Sequence, residues 1–344
     1  MLDGIGTGGS DWRKPKSGKR YTVSKTTQTE IAAAAGRAAK RISELIIETP
    51  LEYSRRFSAE TGADVYLKLE NLQHTGSFKL RGAANRLLTM TLEQRAAGCV
   101  AASSGNHGAA VTYAMQKLKV NGVIFVPKQT STTKIEAIKS HGGEVRFFGT
   151  DGLDTEEHAR EYASRHGMFY LSPYNDAEVI AGQGSCGVEI AAQLPDVQAA
   201  YIAVGGGGLI SGVGSVLKSH NPDISILGCQ PAASAVMCRS VEAGRIVDIP
   251  SQRTLSDGTA GGIESDSITF DLCREIVDDF ILVNEKQIAA AMCRFIDWQH
   301  QLIEGAAGVA IAAMEAHGES IRGKKVVVLI CGGNVSRNTL KTII

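Results

Sequence analysis

The 344-residue sequence has no excess of either charge and is poor in aromatic residues. Its 36 basic and 36 acidic side chains balance, and aromatic residues make up 6% of the chain. A chain without net charge gives no reason to expect nucleic acid or an anionic membrane surface as a partner. A small molecule is therefore the more natural ligand.

Long apolar runs and patterned cysteines are missing as well. The sequence contains no run of 18 apolar residues and no signal-peptide pattern, so nothing in it indicates export or a membrane-spanning helix, and we expect a cytoplasmic protein. Its seven cysteines include no Cys-x-x-Cys pair. That spacing argues against a disulfide framework and against a zinc site.

What is present is an alternation of short apolar segments and helical ones. Strands alternating with helices predict an α/β protein with parallel sheets covered by helices. Ligands of such sheets bind at the carboxyl ends of the strands. Apolar runs that predict buried strands are Val65–Glu70, Cys99–Ser103, Gly122–Val126, Glu144–Phe148, Met168–Leu171, Ala200–Val204, Ile224–Cys229, Phe280–Val283 and Val326–Cys331.

The same segments suggest how the chain is divided. Residues 1–28 lack apolar periodicity and are predicted to form a flexible N-terminal tail. A helix is predicted over Glu30–Ile47, before Pro50. Residues 98–175 contain four of the predicted strands and are expected to form a small inserted domain. Residues 29–97 and 176–344 would then build the large domain.

A run of four glycines indicates a phosphate site. Gly205, Gly206, Gly207 and Gly208 follow a predicted strand and, with Leu209, open a helix. Consecutive glycines let backbone N–H groups converge on an anion, and the start of a helix adds a favourable partial charge. A tight turn alone would need fewer glycines. The pattern is neither a Walker A motif nor a good dinucleotide fingerprint.

Lys79 lies in a short segment between Gly76 and Gly82. A lysine amine can bond to the carbonyl carbon of an aldehyde cofactor, provided that the amine is neutral. The neighbouring Phe78 and Leu80 could remove water from the amine and lower its pKa. A single lysine is weak evidence, however, and a surface lysine at the start of a helix would look the same.

A second helix start carries polar residues. The sequence from Ser103 to His107 follows the strand predicted at Cys99, and its hydroxyl and N–H groups could hold a substrate carboxylate. The candidate substrate-binding residues are Ser103, Ser104, Gly105, Asn106 and His107. A serine or asparagine that merely caps a helix is the common alternative.

Two more candidates lie near the end of the chain. Cys331 ends the last predicted strand, although a buried, inert thiol is the commoner role for cysteine. Glu304 is an acidic residue in an otherwise apolar stretch, and such a residue is usually paired or functional.

In combination these motifs make the chain similar to a known family. It resembles the serine/threonine dehydratase family of pyridoxal-phosphate enzymes with the tryptophan-synthase β-type fold (fold type II), from the first helix to the C-terminus. This resemblance implies two parallel-sheet α/β domains with the active site between them. The motifs that carry it are Ser77–Gly82, Ser104–Gly108, Val179–Gly184, the four glycines and Cys331–Val335.

The resemblance implies pyridoxal 5'-phosphate as cofactor and a role for each candidate. Lys79 matches the lysine that bonds to the cofactor and then moves the substrate's Cα proton, and Ser104 matches a second acid/base position. The other matches are Phe78 beside the ring, Asn106 at its phenolic oxygen, Gly205 to Leu209 around the phosphate, Cys331 at the ring nitrogen and Glu304 near that end of the ring.

The activity that the resemblance implies is elimination of water from a β-hydroxy amino acid such as L-threonine or L-serine, giving a 2-oxo acid and ammonia. Serine racemase is the nearest alternative, and Ser104 does not decide between the two. Dehydratases for hydroxyaspartate or phenylserine, or in hydroxyectoine catabolism, also remain open. A cysteine-synthase type of enzyme fits the lysine motif less well, and a non-catalytic sensor would have no need of the cofactor contacts.

One departure from the family concerns metal ions. Relatives that are activated by a divalent cation carry acidic ligands after a late strand, whereas this chain has Gln230 and Val236 there. Hard cations need anionic oxygens, so no metal site is expected. The resemblance also implies a homodimer, although no feature of the sequence demonstrates one.

Overall fold

The structure is a computed structural model that describes residues 25–344. Its strands are β1 Leu51–Tyr53, β2 Asp64–Leu69, β3 Cys99–Ala102, β4 Gly122–Val126, β5 Glu144–Phe147, β6 Phe169–Tyr170, β7 Ala199–Ala203, β8 Ser225–Pro231, β9 Asp279–Val283 and β10 Lys325–Ile330. Its α-helices are α1 Lys25–Ile42, α2 Arg55–Thr61, α3 Lys79–Leu88, α4 Leu92–Ala97, α5 Asn106–Leu118, α6 Thr132–Lys139, α7 Gly152–Arg165, α8 Ala177–Gln193, α9 Gly208–His220, α10 Val236–Ala243, α11 Ile268–Ile276, α12 Glu285–Gln299, α13 Gly305–His317 and α14 Arg337–Ile343.

The larger sheet has six strands in the order β1-β2-β10-β7-β8-β9. All neighbours are parallel except β1, which pairs antiparallel with β2 and lies at the edge. The last strand along the chain, β10, therefore lies between β2 and β7. This arrangement brings the chain after Leu69, after Ala203 and after Ile330 to one end of the sheet.

The smaller sheet has four parallel strands in the order β5-β4-β3-β6. All four strands lie within residues 99–170. The fold is thus α/β with two mainly parallel sheets, as the sequence predicts. Each of the nine predicted strands is present, with ends that differ by at most two residues from the prediction.

Helix α13 shows how the core fixes the site. Its residues Gly305–Met314 are all buried, as expected for a helix that is apolar on every side. A Cβ at Gly305 would lie 2.0 Å from the Leu255 carbonyl oxygen, so only glycine allows the helix to begin there. The helix start holds the preceding residue, Glu304, against the end of β10.

The first helix differs from the prediction at both ends, and one strand was not predicted. The first helix spans Lys25–Ile42 and not Glu30–Ile47. Leu45 and Ile46 continue the apolar pattern beyond the helix, because they pack from a turn against the core of the small sheet. Residues 25–28 belong to this helix and not to a tail, whereas residues 1–24 of the predicted tail lie outside the described residues. Strand β1 was not predicted, since three residues are too few to show a pattern.

Candidate active site

A cavity of about 1170 Å³ lies between the two sheets, at the carboxyl ends of their strands. All the candidate site residues line it, although they come from five separate segments of the chain. They are Phe78, Lys79, Ser103, Ser104, Gly105, Asn106, His107, Gly205, Gly206, Gly207, Gly208, Leu209, Glu304 and Cys331.

Lys79 is the first residue of α3. Its amine donates a hydrogen bond to the Pro173 carbonyl oxygen at 2.9 Å and lies 5.2 Å from the centre of the Phe78 ring. The residue keeps part of its surface open to the cavity. Burial of the amine lowers the pKa of Lys79 from 10.5 to about 8, although Cys331 and Glu304 oppose the change. A substantial fraction of the amine is therefore neutral in mildly alkaline solution.

The segment before Lys79 is fixed to the end of β10. The Phe78 N–H donates to the Cys331 carbonyl oxygen at 3.1 Å, and Ser77 forms an isolated antiparallel bridge with Gly332. These contacts hold Lys79 and Cys331 on neighbouring walls of the cavity. Burial raises the pKa of the Cys331 thiol well above its ordinary value, so the thiol stays protonated and neutral.

The four glycines are packed too tightly for side chains. A Cβ at Gly206 would lie 2.5 Å from the Tyr174 ring, and one at Gly205 would lie 3.0 Å from the Thr259 Cα. Gly207 has a φ of 85°, which L-residues rarely adopt. Helix α9 begins directly afterwards and runs for 13 residues. Its first N–H groups have no partner within the helix, and such groups are suited to bind an anion.

The loop from Ser103 to His107 joins β3 to α5. The Gly105 N–H donates to the Ser103 hydroxyl at 3.2 Å, and Ser104 is partly exposed at the cavity wall. The imidazole of His107 points into the protein, where its Nε2 contacts the Leu171 carbonyl oxygen at 3.0 Å. Burial lowers the pKa of His107 to about 3. This ring is therefore a neutral donor to Leu171, and a ligand would meet the backbone of His107.

Asn106 connects the two sides of the cavity. Its amide nitrogen donates to both carboxylate oxygens of Glu304, at 2.9 Å each. Its amide oxygen accepts from the Asn334 side chain at 2.7 Å. Glu304 is 6% exposed, and burial raises the pKa of its carboxyl while the Asn106 bond lowers it. Asn106 and Glu304 thus contact each other directly, which the sequence could not indicate.

Comparison with known proteins identifies the family. A family model described as "Pyridoxal-phosphate dependent enzyme" matches residues 42–332, which include every residue that lines the cavity up to Cys331. The chain belongs to this family. Its cofactor is pyridoxal 5'-phosphate.

Individual relatives agree with this identification. The L-threonine ammonia-lyase of Thermotoga maritima is 38% identical over 307 residues, which are 89% of this chain and 76% of the relative. Among solved structures, the processed threonine deaminase isoform 2 of Solanum lycopersicum superposes with a TM-score of 0.87 and 32% identity, covering 96% of this chain and 94% of that chain. Maize serine racemase gives a TM-score of 0.86 and 30% identity, covering 90% and 95%.

The residues of the cavity fit pyridoxal phosphate. The glycine turn and the start of α9 supply backbone donors for a phosphate, and no cation is needed among them. A buried lysine with a lowered pKa lies in the same cavity, as an aldehyde requires. Cys331 and Glu304 line a further wall, with a sulfur-to-oxygen distance of 4.0 Å. A phosphate and an aldehyde thus each find a suitable group in the cavity.

Several cavity residues were not singled out in the sequence. Pro173 accepts the Lys79 hydrogen bond, and the ring of Tyr174 covers the glycine turn, held by a bond from the Glu264 N–H to its hydroxyl at 3.0 Å. Both residues follow β6 closely, so the rule that ligands bind at the carboxyl ends of strands could have found them. Thr259 has no such signal, because it lies in a long connection between α10 and α11.

Gln230, where the sequence departs from cation-activated relatives, is 1% exposed. Its amide nitrogen donates to the Val204 carbonyl oxygen at 3.0 Å, and its amide oxygen accepts from the Cys238 N–H at 2.8 Å. The side chain thus connects the residue before the glycine turn to helix α10. Both ends of the amide are used in main-chain contacts.

Proposed function

We propose that the protein is a pyridoxal-phosphate-dependent ammonia-lyase, which eliminates water from a small β-hydroxy amino acid such as L-threonine or L-serine and yields a 2-oxo acid and ammonia. The observation that carries the proposal is the position of Lys79. Its buried amine, with a pKa of about 8, lies in one cavity with the glycine turn and the Ser103–His107 loop. The relatives named as threonine ammonia-lyase and threonine deaminase support the same activity.

Lys79 is proposed to hold the cofactor and to remove the Cα proton of the substrate. When bound, pyridoxal phosphate supplies an electron-withdrawing ring that stabilises negative charge at Cα. The neutral form of the Lys79 amine accepts the proton, and burial makes this form more abundant near neutral pH. The Pro173 carbonyl oxygen, 2.9 Å from the amine, keeps the amine in place.

The polar loop after β3 is proposed to bind the substrate carboxylate. Ser103, Ser104 and Gly105 precede the first turn of the 13-residue helix α5, and the N–H groups of Asn106 and His107 begin that turn. A carboxylate at this point would accept hydrogen bonds from the N–H groups and the serine hydroxyls. The side chain of His107 takes no part, because it contacts Leu171.

Cys331 and Glu304 are proposed to lie around the ring nitrogen, with Phe78 beside the ring and Asn106 at the ring oxygen. Cys331 carries no charge, since burial raises the pKa of its thiol. A neutral partner at the ring nitrogen moderates the withdrawal of electrons, which favours elimination over transamination. Glu304 retains its contact with Asn106.

Serine racemisation is the second candidate. The structural similarity to maize serine racemase favours it, as does the position of Ser104 at the cavity wall, where its hydroxyl could serve as a second acid/base group. The two activities share the Lys79 chemistry, and they differ in whether the amino acid is consumed or inverted.

The remaining features of the proposal concern the whole molecule. Residues 98–175 are taken as a small domain inserted into a large domain of residues 29–97 and 176–344, and the protein is taken as a cytoplasmic homodimer. Seven free cysteines, six of them buried, suit a reducing compartment. Among the described residues no helix is long and apolar enough to span a membrane.

The proposal is tested by incubating the cofactor-loaded protein separately with L-threonine, L-serine and threo-3-hydroxyaspartate. The 2-oxo acid and ammonia are measured, and the remaining amino acid is analysed for chirality. Equal amounts of oxo acid and ammonia from one substrate are expected, and Lys79→Ala should abolish both. A D-amino acid that accumulates without oxo acid would establish the racemase. No product from all three would point to another β-hydroxy amino acid or to a sensor.

A further inference from the structure

Three walls of the cavity meet at the side chain of Asn334. Its amide nitrogen donates to the Thr75 carbonyl oxygen at 2.9 Å and to the Asn106 amide oxygen at 2.7 Å. Thr75 precedes Lys79 by four residues, and Asn106 begins α5 on the side of the small sheet. One amide group therefore links the lysine segment, the loop after β3 and the segment after β10.

These contacts determine which end of the Asn106 amide faces which neighbour. The Asn334 amide nitrogen can only donate, so the Asn106 atom opposite it must be the oxygen. The nitrogen of Asn106 then faces the carboxylate oxygens of Glu304, which accept. In the reversed orientation two N–H groups would face each other, and the Asn106 oxygen would face a carboxylate. The hydrogen-bond network thus selects one orientation from both ends.

The backbone is shaped to admit Asn334. Gly76 has a φ of 71°, and a Cβ there would lie 2.7 Å from the Asn334 amide oxygen. A side chain at residue 76 would therefore displace Asn334 from Thr75. Asn334 itself is exposed to the cavity, so its replacement leaves no void in the core.

We propose that Asn334 is a positioning residue, which fixes the Asn106 amide so that its N–H groups face Glu304 and the oxygen of the bound cofactor ring. The inference rests on the placement of the cofactor in the proposed function. An N–H group directed at an anionic ring oxygen stabilises the negative charge, whereas a carbonyl oxygen in its place would repel it. Asn334 touches neither the cofactor nor the substrate in this assignment and acts through Asn106.

Asn334→Asp is the sharpest perturbation, because it keeps the shape and replaces the donor with acceptors. The aspartate would compete with Glu304 for the Asn106 amide nitrogen, which weakens the donor at the ring oxygen. The bound cofactor absorbs visible light, so its binding can be followed by titration. We expect the dissociation constant for pyridoxal phosphate to increase about tenfold, the equivalent of about 1.4 kcal/mol.

Asn334→Ala leaves Glu304 alone to orient the Asn106 amide, so a smaller increase in the dissociation constant is expected. Asn338→Asp is the matched control, since Asn338 also lines the cavity, is exposed, and makes no side-chain hydrogen bond to Asn106 in the described part of the chain. Equal increases in Asn334→Asp and Asn338→Asp would overturn the proposal, because the added charge alone would then explain them.

The double variant Asn106→Ala/Asn334→Asp tests the route of the effect. If Asn334 acts through Asn106, the increase caused by Asn334→Asp disappears when Asn106 is alanine. An increase that persists in the alanine background, or a wild-type titration curve for Asn334→Asp, would overturn the inference. These readouts require a bound cofactor and no turnover, so they stay informative even if the protein proves not to be a lyase.

Discussion

The Lys79 amine, to which we assign the proposed catalytic role, should make the cofactor-free protein less stable because it is buried. Each tenfold change in an ionisation constant corresponds to about 1.4 kcal/mol. Lowering the pKa of Lys79 from 10.5 to about 8 therefore costs the folded protein about 3 kcal/mol in solution at pH 7, where the amine is protonated in both folded and unfolded states. Water in the cavity reduces this cost, so about 3 kcal/mol is an upper estimate.

Lys79→Met removes the charge and keeps an unbranched side chain. It also removes the hydrogen bond to Pro173. The loss of this bond cancels about 1 kcal/mol of the gain in stability. We expect the variant to raise the free energy of unfolding by about 2 kcal/mol near pH 7. Between pH 8 and 10.5 the unfolded wild-type chain holds a proton that the folded chain has released, so wild-type stability rises with pH and the advantage of the variant disappears.

The assay is urea unfolding of the cofactor-stripped wild-type protein and the variant at several pH values from 7 to 10. Lys68→Met is a control for which the opposite change in stability is expected, because the Lys68 amine is fully buried and paired with Glu189 at 2.5 Å. Removing it is expected to destabilise the protein by about 3 kcal/mol. A destabilised Lys79→Met protein, or a difference that does not change with pH, would refute the reasoning about the Lys79 amine.

Two further predictions concern the glycine turn and the buried charges. Gly206→Ala places a Cβ against the Tyr174 ring. The affinity for pyridoxal phosphate, measured by fluorescence titration, should therefore fall about tenfold, the equivalent of about 1.4 kcal/mol. The control is Gly262→Ala, where a Cβ meets nothing within 4 Å, and this variant should bind the cofactor like wild type. Arg81→Met leaves two carboxylates without the guanidinium that each of them contacts, and should cost about 3–5 kcal/mol of stability in urea unfolding. Arg322→Met removes an exposed ion pair and should change the free energy of unfolding by less than about 0.5 kcal/mol. An equal loss of stability in both arginine variants would contradict the role of burial.

The strands β3, β4, β7 and β10 were predictable because their apolar runs are buried almost throughout, and this burial constrains nearly every position. Helix α8 was harder to predict. From the sequence alone the first half of this helix is weakly indicated, since Gly182 and Gly184 are poor helix formers. In the structure α8 begins at Ala177, because a Cβ at Gly182 would lie 2.5 Å from the Arg81 carbonyl oxygen and the glycines allow α8 to approach α3. Tertiary packing thus overrides helix propensity at this point.

For the site, the sequence indicates which residue types are present but not which of them touch. The glycine turn and the Ser103–His107 loop are local patterns, so each could be recognised by itself. The contact of Asn106 with Glu304 joins residues that are 198 positions apart, and no local pattern encodes it. The same holds for Tyr174 on the glycine turn. His107 is predicted to bind substrate from its place in a motif, and the sequence could not indicate that its ring is bonded to Leu171.

The central claim is that Lys79 holds pyridoxal phosphate in this cavity, and reductive trapping tests it most directly. Sodium borohydride reduces the bond between the cofactor and a lysine to a stable amine, and peptide mass spectrometry then locates the label. We predict a single pyridoxyl group on the peptide that contains Lys79, and none when the Lys79→Ala variant is treated in the same way. Stoichiometric label on another lysine would contradict the claim, as would full turnover by the unlabelled Lys79→Ala variant.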